Sequence, residues 1–173
     1  MTQPVTFQVS SLPGRQGRRT AAGPVGRHAP AAGRGGHRAE LIDRLATRAH
    51  AAADEATFQH ELALAFAHCQ HQLALAHDPT RAARAYEAYE AACGAATAAC
   101  LAALDEARAL YAHQAGDVAH RGGRELPGEE AARLRAHGVA RGARIGQEVR
   151  KRAQQAEALA RLGLEQARKA PGT

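Results

Sequence analysis

The sequence predicts an all-α protein: an antiparallel, coiled-coil-like bundle of three long alanine-rich helices, preceded by a disordered basic arm. Three observations predict this fold class. Apolar residues recur at intervals of three and four over long segments, which is the period of an α-helix. The 173 residues are 45% apolar but include no Trp, three Phe and three Tyr, so alanine dominates. Two helix-breaking pairs, Asp78-Pro79 and Gly122-Gly123, divide the periodic region into three parts.

Residues 1–38 form the predicted arm. They contain four prolines, repeated glycines and no sustained hydrophobic period, a composition typical of disordered segments. Only Val5, Phe7 and Val9 alternate with polar residues as in a short strand, which would dock on the bundle or on a partner. An Arg-rich, acid-free start is also found in organelle transit peptides, but glycine and proline at this density disfavour the amphipathic helix such a peptide needs.

The first helix is predicted over residues 39–77, at the start of a bundle domain that extends to residue 170. Seven residues of its second half share one helical face, which we interpret as the core face: Phe58, Leu62, Ala65, Phe66, Cys69, Leu73 and Ala76. A second stripe lies away from the first and is a candidate interface: Leu64, His68, His71 and Leu75. Two stripes imply two neighbours, so either the third helix or another subunit covers the second one.

The second helix is predicted over residues 79–121. Asp78 suits the N-cap and Pro79 the first helical position, where its missing N–H costs nothing, and Gly122-Gly123 is expected to end the helix. Its apolar positions cover a wide face: Tyr86, Tyr89, Cys93, Ala96, Cys100, Leu101, Ala103, Leu104, Ala107, Leu110, Tyr111 and Val118. One neighbour would not cover this width, so we expect the second helix to contact both of the others.

The third helix is predicted over residues 127–170, with Glu129 and Glu130 favourably placed in its first turn. Its apolar stripe is thin and comprises Leu134, Ile145, Val149, Ala156, Leu159 and Ala160. Glycines recur every four residues at Gly138, Gly142 and Gly146, which predicts a close-contact seam, and hence a candidate interface, or a flexible joint. Codon bias in a helix that tolerates glycine, at a cost of about 1 kcal/mol each, explains the pattern equally well.

Charge is distributed unevenly along the chain, whose net charge is +6. Residues 1–38 carry six arginines and no acid, residues 39–121 carry eleven acids against six arginines, and residues 122–173 carry eleven basic residues against six acids. The third helix could therefore pair with the first two, or it could face a polyanion together with the arm. Ten residues are the candidate nucleic-acid contacts: Arg15, Arg18, Arg19, Arg27, Arg34, Arg38, Arg144, Arg150, Lys151 and Arg152.

No catalytic, cofactor or metal motif stands out, and we predict a protein that is not an enzyme and has no cofactor. Serine occurs only at Ser10 and Ser11, outside any nucleophile elbow, and no phosphate-binding glycine loop is present. His68 and His71 could share a helical face, but Cys69 is expected on the core side and no second Cys/His pair lies nearby, so no metal site is predicted. The three cysteines are expected to be reduced and buried in a cytoplasmic protein without a membrane span.

Two functions from different classes fit these features. The first is a non-enzymatic helical interaction or assembly protein that self-associates or binds a protein partner, with no small-molecule substrate. The second is a DNA-associated accessory protein that binds without sequence preference, of a kind that a plasmid or phage of a high-GC bacterium would encode. A peripheral membrane protein is a weaker third interpretation, because no large apolar anchors lie opposite the basic residues.

Overall fold

The computed structural model describes residues 34–169. It contains three long helices, α1 (Arg34–His77), α2 (Ala82–Glu125) and α3 (Gly128–Lys169), with one turn of 3-10 helix at Pro79–Arg81 between the first two. Each α-helix is about 65 Å long at a rise of 1.5 Å per residue. The all-α prediction is confirmed.

The start of α1 differs from the sequence-based prediction. Residues 34–38, which were assigned to the basic arm, belong to the first turns of α1. The rest of the predicted arm, with Val5, Phe7 and Val9, lies outside the described residues.

The break at Asp78 is confirmed and has a simple local cause. The Asp78 carboxylate accepts a hydrogen bond from the Thr80 backbone N–H at 3.1 Å, and Pro79 opens the 3-10 turn that precedes α2. The predicted end of α2 at Gly122-Gly123 is wrong, because the helix continues to Glu125 and stops at the extended residue Leu126. Gly122 is closely packed, since a Cβ there would lie 2.5 Å from Leu134 Cδ2 of α3, and the leucine side chain would have to move.

The three helices pack against one another, with α2 antiparallel to both α1 and α3. The expectation that α2 contacts both other helices is confirmed, and α1 also contacts α3 directly. The main core joins the first half of α1 to the second half of α2 and to α3, and its largest members are Ile42, Leu45, Leu104, Tyr111, Leu134, Ile145 and Val149. A smaller cluster near the α1–α2 turn contains Ala67, Tyr89, Cys93 and Ala167.

The predicted orientation of the second half of α1 is wrong. Four large residues assigned to the core are more than half exposed: Phe58 (59%), Leu62 (54%), Phe66 (65%) and Leu73 (59%). The opposite face of α1 is buried instead, through Ile42, Leu45, Ala46, Ala49, Ala53, Ala56, His60, Ala67 and His71. The bulk of this core comes from α2 and α3, and the alanines of α1 let these helices approach closely.

Most of the predicted apolar faces of α2 and α3 are confirmed. On α2, Tyr89, Cys93, Cys100, Leu104, Ala107 and Tyr111 are buried, whereas Ala103 and Leu110 are exposed. On α3, all of the predicted stripe is buried except Leu159, which is 41% exposed. Each of these two helices has one dominant apolar face, so the periodicity of the sequence was sufficient to predict which face is buried.

Candidate interaction surface

The outward face of α1 carries a continuous apolar surface, which we call the α1 stripe. It consists of Phe58, Leu62, Ala65, Phe66, Cys69, Leu73 and Ala76, all exposed. The chain has no charged residue from Leu62 to His77. The stripe therefore extends for about 27 Å of helix with uncharged side chains along most of its length.

A shallow groove between α1 and α2 adjoins the stripe, and Phe66 belongs to both. Besides Phe66, the groove is lined mostly by alanines: Ala63, Ala67, Ala74, Ala85, Ala88, Ala92, Ala95 and Ala96. Short side chains on both walls allow another backbone to come close, as in helix packing generally. Stripe and groove together form an uncharged surface shaped for an additional helix.

Aromatic contacts fix the helix pair beneath this groove. The His71 and Tyr89 rings stack with centroids 5.0 Å apart, and His68 meets Tyr89 edge-on at 6.1 Å. Burial, together with a hydrogen bond to Cys93, raises the pKa of the Tyr89 hydroxyl to about 12. The sequence-based candidate interface is thus divided: His71 is buried within the chain, Leu64 and Leu75 are half-buried, and His68 is exposed.

A buried histidine forms a polar layer between the two core clusters. The Nε2 atom of His60 lies 3.2 Å from the Thr97 hydroxyl, which itself donates to the Cys93 carbonyl at 2.9 Å. The Thr97 proton is therefore used, so His60 Nε2 must donate, and Nδ1 is an unprotonated acceptor without a partner among the described residues. Burial lowers the pKa of His60, and burial together with the nearby His68 lowers that of His71.

The three cysteines occupy two environments and are free thiols. Cys93 and Cys100 are buried as predicted, and burial raises the pKa of both thiols. Cys69 is exposed, which corrects the expectation that it points into the core. His68, Cys69 and His71 do not converge, and within residues 34–169 no group of three His, Cys, Asp or Glu residues could hold a metal ion.

The regularly spaced glycines of α3 lie against the other two helices. A Cβ at Gly138 would lie 3.5 Å from Ile42 of α1, and one at Gly142 would lie 3.3 Å from Tyr111 of α2. The Tyr111 hydroxyl also donates to the Gly138 carbonyl at 3.0 Å. Gly146 is buried one turn further on. Gly138 and Gly142 thus make close contacts inside the bundle, whereas the atom nearest to a Cβ at Gly146 belongs to Arg150 of α3 itself, at 3.7 Å.

The candidate nucleic-acid contacts fall into three groups. Arg38 and Arg152 form intramolecular ion pairs, the first with Glu125 and the second with Asp54 at 2.5 Å. Arg34, Arg144, Arg150 and Lys151 are exposed on the bundle. Arg15, Arg18, Arg19 and Arg27 lie outside the described residues. Part of the basic charge of α3 thus pairs with α1, as also shown by the 2.7 Å contact between Arg141 and Asp43.

Within the described part of the chain, no helix combines the length and apolar character needed to cross a membrane. Comparison with known proteins gave no match: no family model, curated protein or solved structure is significantly similar to this chain.

Proposed function

We propose that this chain is a non-enzymatic helical interaction protein that docks an apolar helix on the α1 stripe. One observation carries the proposal: Phe58, Leu62, Phe66 and Leu73 are each more than half exposed on one face of one helix. Isolated exposed apolar residues are normal in folded proteins, but a contiguous row of four large ones marks an interaction site.

The size of the exposed patch supports a docking role. The four large side chains expose on the order of 400 Å² of apolar surface, which is within the range of functional patches. Covering this area would contribute roughly 10 kcal/mol before the costs of association, at about 25 cal/mol per Å². The alanine-lined groove beside Phe66 adds further uncharged surface.

The chemistry of this surface favours binding over catalysis. Apart from the exposed Cys69 thiol, the α1 stripe consists of alkyl groups and phenyl rings, which cannot act as nucleophiles or proton carriers. The cysteines beneath it, Cys93 and Cys100, are buried with raised thiol pKa values, so little reactive thiolate is present at neutral pH.

Site-specific photo-crosslinking in the organism of origin tests the proposal. A benzophenone amino acid replaces Phe66 in one variant and Val139, which is 72% exposed on α3, in the matched control. We expect discrete protein adducts from position 66 and none from position 139. Absence of adducts from position 66, or the same adducts from both positions, would contradict a docking role for the stripe.

A DNA-associated role is the second candidate. It is favoured by the exposure of Arg144, Arg150 and Lys151 on α3 and by the arginine content of residues 1–38. Binding would be electrostatic, so it should weaken steeply with salt and should be reduced by replacing the three α3 residues with glutamine. Absence of DNA binding by the full chain at low salt would exclude this role.

A further inference from the structure

Given that the α1 stripe is a docking surface, as proposed above, we infer that its occupant is a second copy of this chain. The two α1 helices would pack antiparallel about a two-fold axis that passes between Ala65 and Phe66. The position of the axis follows from the apolar side chains, and the polar side chains at the rim are compatible with it.

The apolar side chains are self-complementary about this axis. In an antiparallel pair, residues equally distant from the axis on either side face each other. Phe58 then lies opposite Leu73 of the second copy, Leu62 opposite Cys69, and Ala65 opposite Phe66. The largest ring near the axis thus meets the smallest side chain, and large residues meet at both ends, which is the alternation that close helix packing requires.

The polar side chains beside the stripe are compatible with the same register. Gln59 and Gln70 lie on one rim, and in this register they are offset by about 3 Å along the helix axis, so that their amides, which can both donate and accept, can still reach each other. On the other rim, Glu61 would lie near His68 of the second copy.

The area suits a dimer in exchange with monomer. Two stripes contribute on the order of 800 Å², and the small and polar residues around them bring the total above the roughly 1,000 Å² expected of a specific interface. This total is at the low end of the range for stable complexes, so dilution should dissociate the dimer.

Sedimentation equilibrium of the full chain tests the inference. We expect a concentration-dependent dimer that is lost in Phe66→Asp, which places two carboxylates near the axis. Val139→Asp adds the same charge on exposed α3 and should remain dimeric. Circular dichroism checks that both variants stay helical. A monomeric parent chain at high concentration would overturn the inference, as would a dimeric Phe66→Asp variant or equal loss of dimer in both variants.

Spin-label distances test the antiparallel geometry. Cys69 is exposed in the single chain but would be covered in the dimer, so the labels are placed on a Cys69→Ser chain, whose other cysteines, Cys93 and Cys100, are buried. Labels on Gln72→Cys, at the edge of the stripe, should have Cα atoms about 21 Å apart, given the helix rise and an interaxial distance of 8–10 Å. Labels on Arg48→Cys in the same chain should be about 50 Å apart. Short distances at both positions would show a parallel dimer and overturn the proposed geometry.

Failure of this inference is distinguishable from failure of the proposed function. A monomeric chain that still gives adducts to a different protein from position 66 would exclude the second copy but retain the docking role. A monomeric chain without any adduct from position 66 would contradict both.

Discussion

Two histidines show how single residues acquire their properties from this fold. His60 and His71 are buried between α1 and α2, with one ring nitrogen of each lacking a hydrogen-bond partner among the described residues. The sequence could not predict this, because imidazole is small and amphipathic and suits a surface as well as a core. Only the packing of α2, through Thr97 and Tyr89, decides that these histidines are neutral and internal.

Burial of the two histidines predicts that stability depends on pH. Their folded pKa values are lowered below 6.5, whereas the unfolded chain titrates near 6.5, so the unfolded state binds more protons just below that pH. Stability should therefore be full above about pH 7 and should fall as the pH decreases through 6.5 toward the folded pKa values.

Urea unfolding between about pH 5.5 and 7, a range above the ordinary carboxylate pKa values, checks this dependence. The variant His60→Gln retains a donor for Thr97 and should show a smaller loss of stability on acidification than the parent. The matched variant His120→Gln, at an exposed position of α2, should behave as the parent does. Identical pH dependence in all three chains would show that His60 does not titrate in the way its burial requires.

At the scale of the helices, glycines separate positions that require close contact from positions that merely tolerate glycine. Gly163 of α3 lies against Tyr89, and a Cβ there would be 2.6 Å from the Tyr89 hydroxyl oxygen. Gly94, on α2, has no atom within 4 Å of such a Cβ among the described residues. Sequence alone gives both the same interpretation, because a helical glycine costs about 1 kcal/mol wherever it lies.

Replacing each of these two glycines with alanine should therefore shift the melting temperature in opposite directions. Gly94→Ala should stabilise the bundle by up to about 1 kcal/mol through helix propensity. Gly163→Ala should destabilise it by roughly 1–3 kcal/mol, because buried Tyr89 must move. Thermal unfolding followed by circular dichroism measures both, and stabilisation by Gly163→Ala would show that Tyr89 gives way without cost.

For the molecule as a whole, the sequence predicted the fold class and most helix boundaries, but it did not predict which face of the second half of α1 is buried. The break at Asp78-Pro79 could be predicted because capping by Asp78 and the restricted backbone of Pro79 are local effects. The buried faces of α2 and α3 could be predicted because each helix has one dominant apolar face. On α1, two apolar faces lie on opposite sides of the helix, and periodicity cannot rank them. Helical spacing predicted Phe58 and Phe66 as core residues, whereas Leu104 and Tyr111 of α2 pack against the face of α1 that carries alanines.

This reversal of α1 left the large apolar residues outside and so created the candidate interaction surface. A signal for it was present in the sequence, since residues 62–77 lack charge and the opposite face already offers enough small residues for a three-helix core. This signal could be interpreted only with knowledge of how many large side chains α2 and α3 contribute to the core.

Comparing the unfolding free energies of Ile42→Ala and Phe66→Ala tests the central claim that α1 directs its large apolar residues outward. Ile42 is fully buried, so its replacement should cost about 2–5 kcal/mol, whereas Phe66 is 65% exposed and its replacement should cost less than about 1 kcal/mol. Urea titrations at low protein concentration keep association from contributing to either value. A cost of about 3 kcal/mol or more for Phe66→Ala, with little cost for Ile42→Ala, would show that the stripe is the core and would contradict this account.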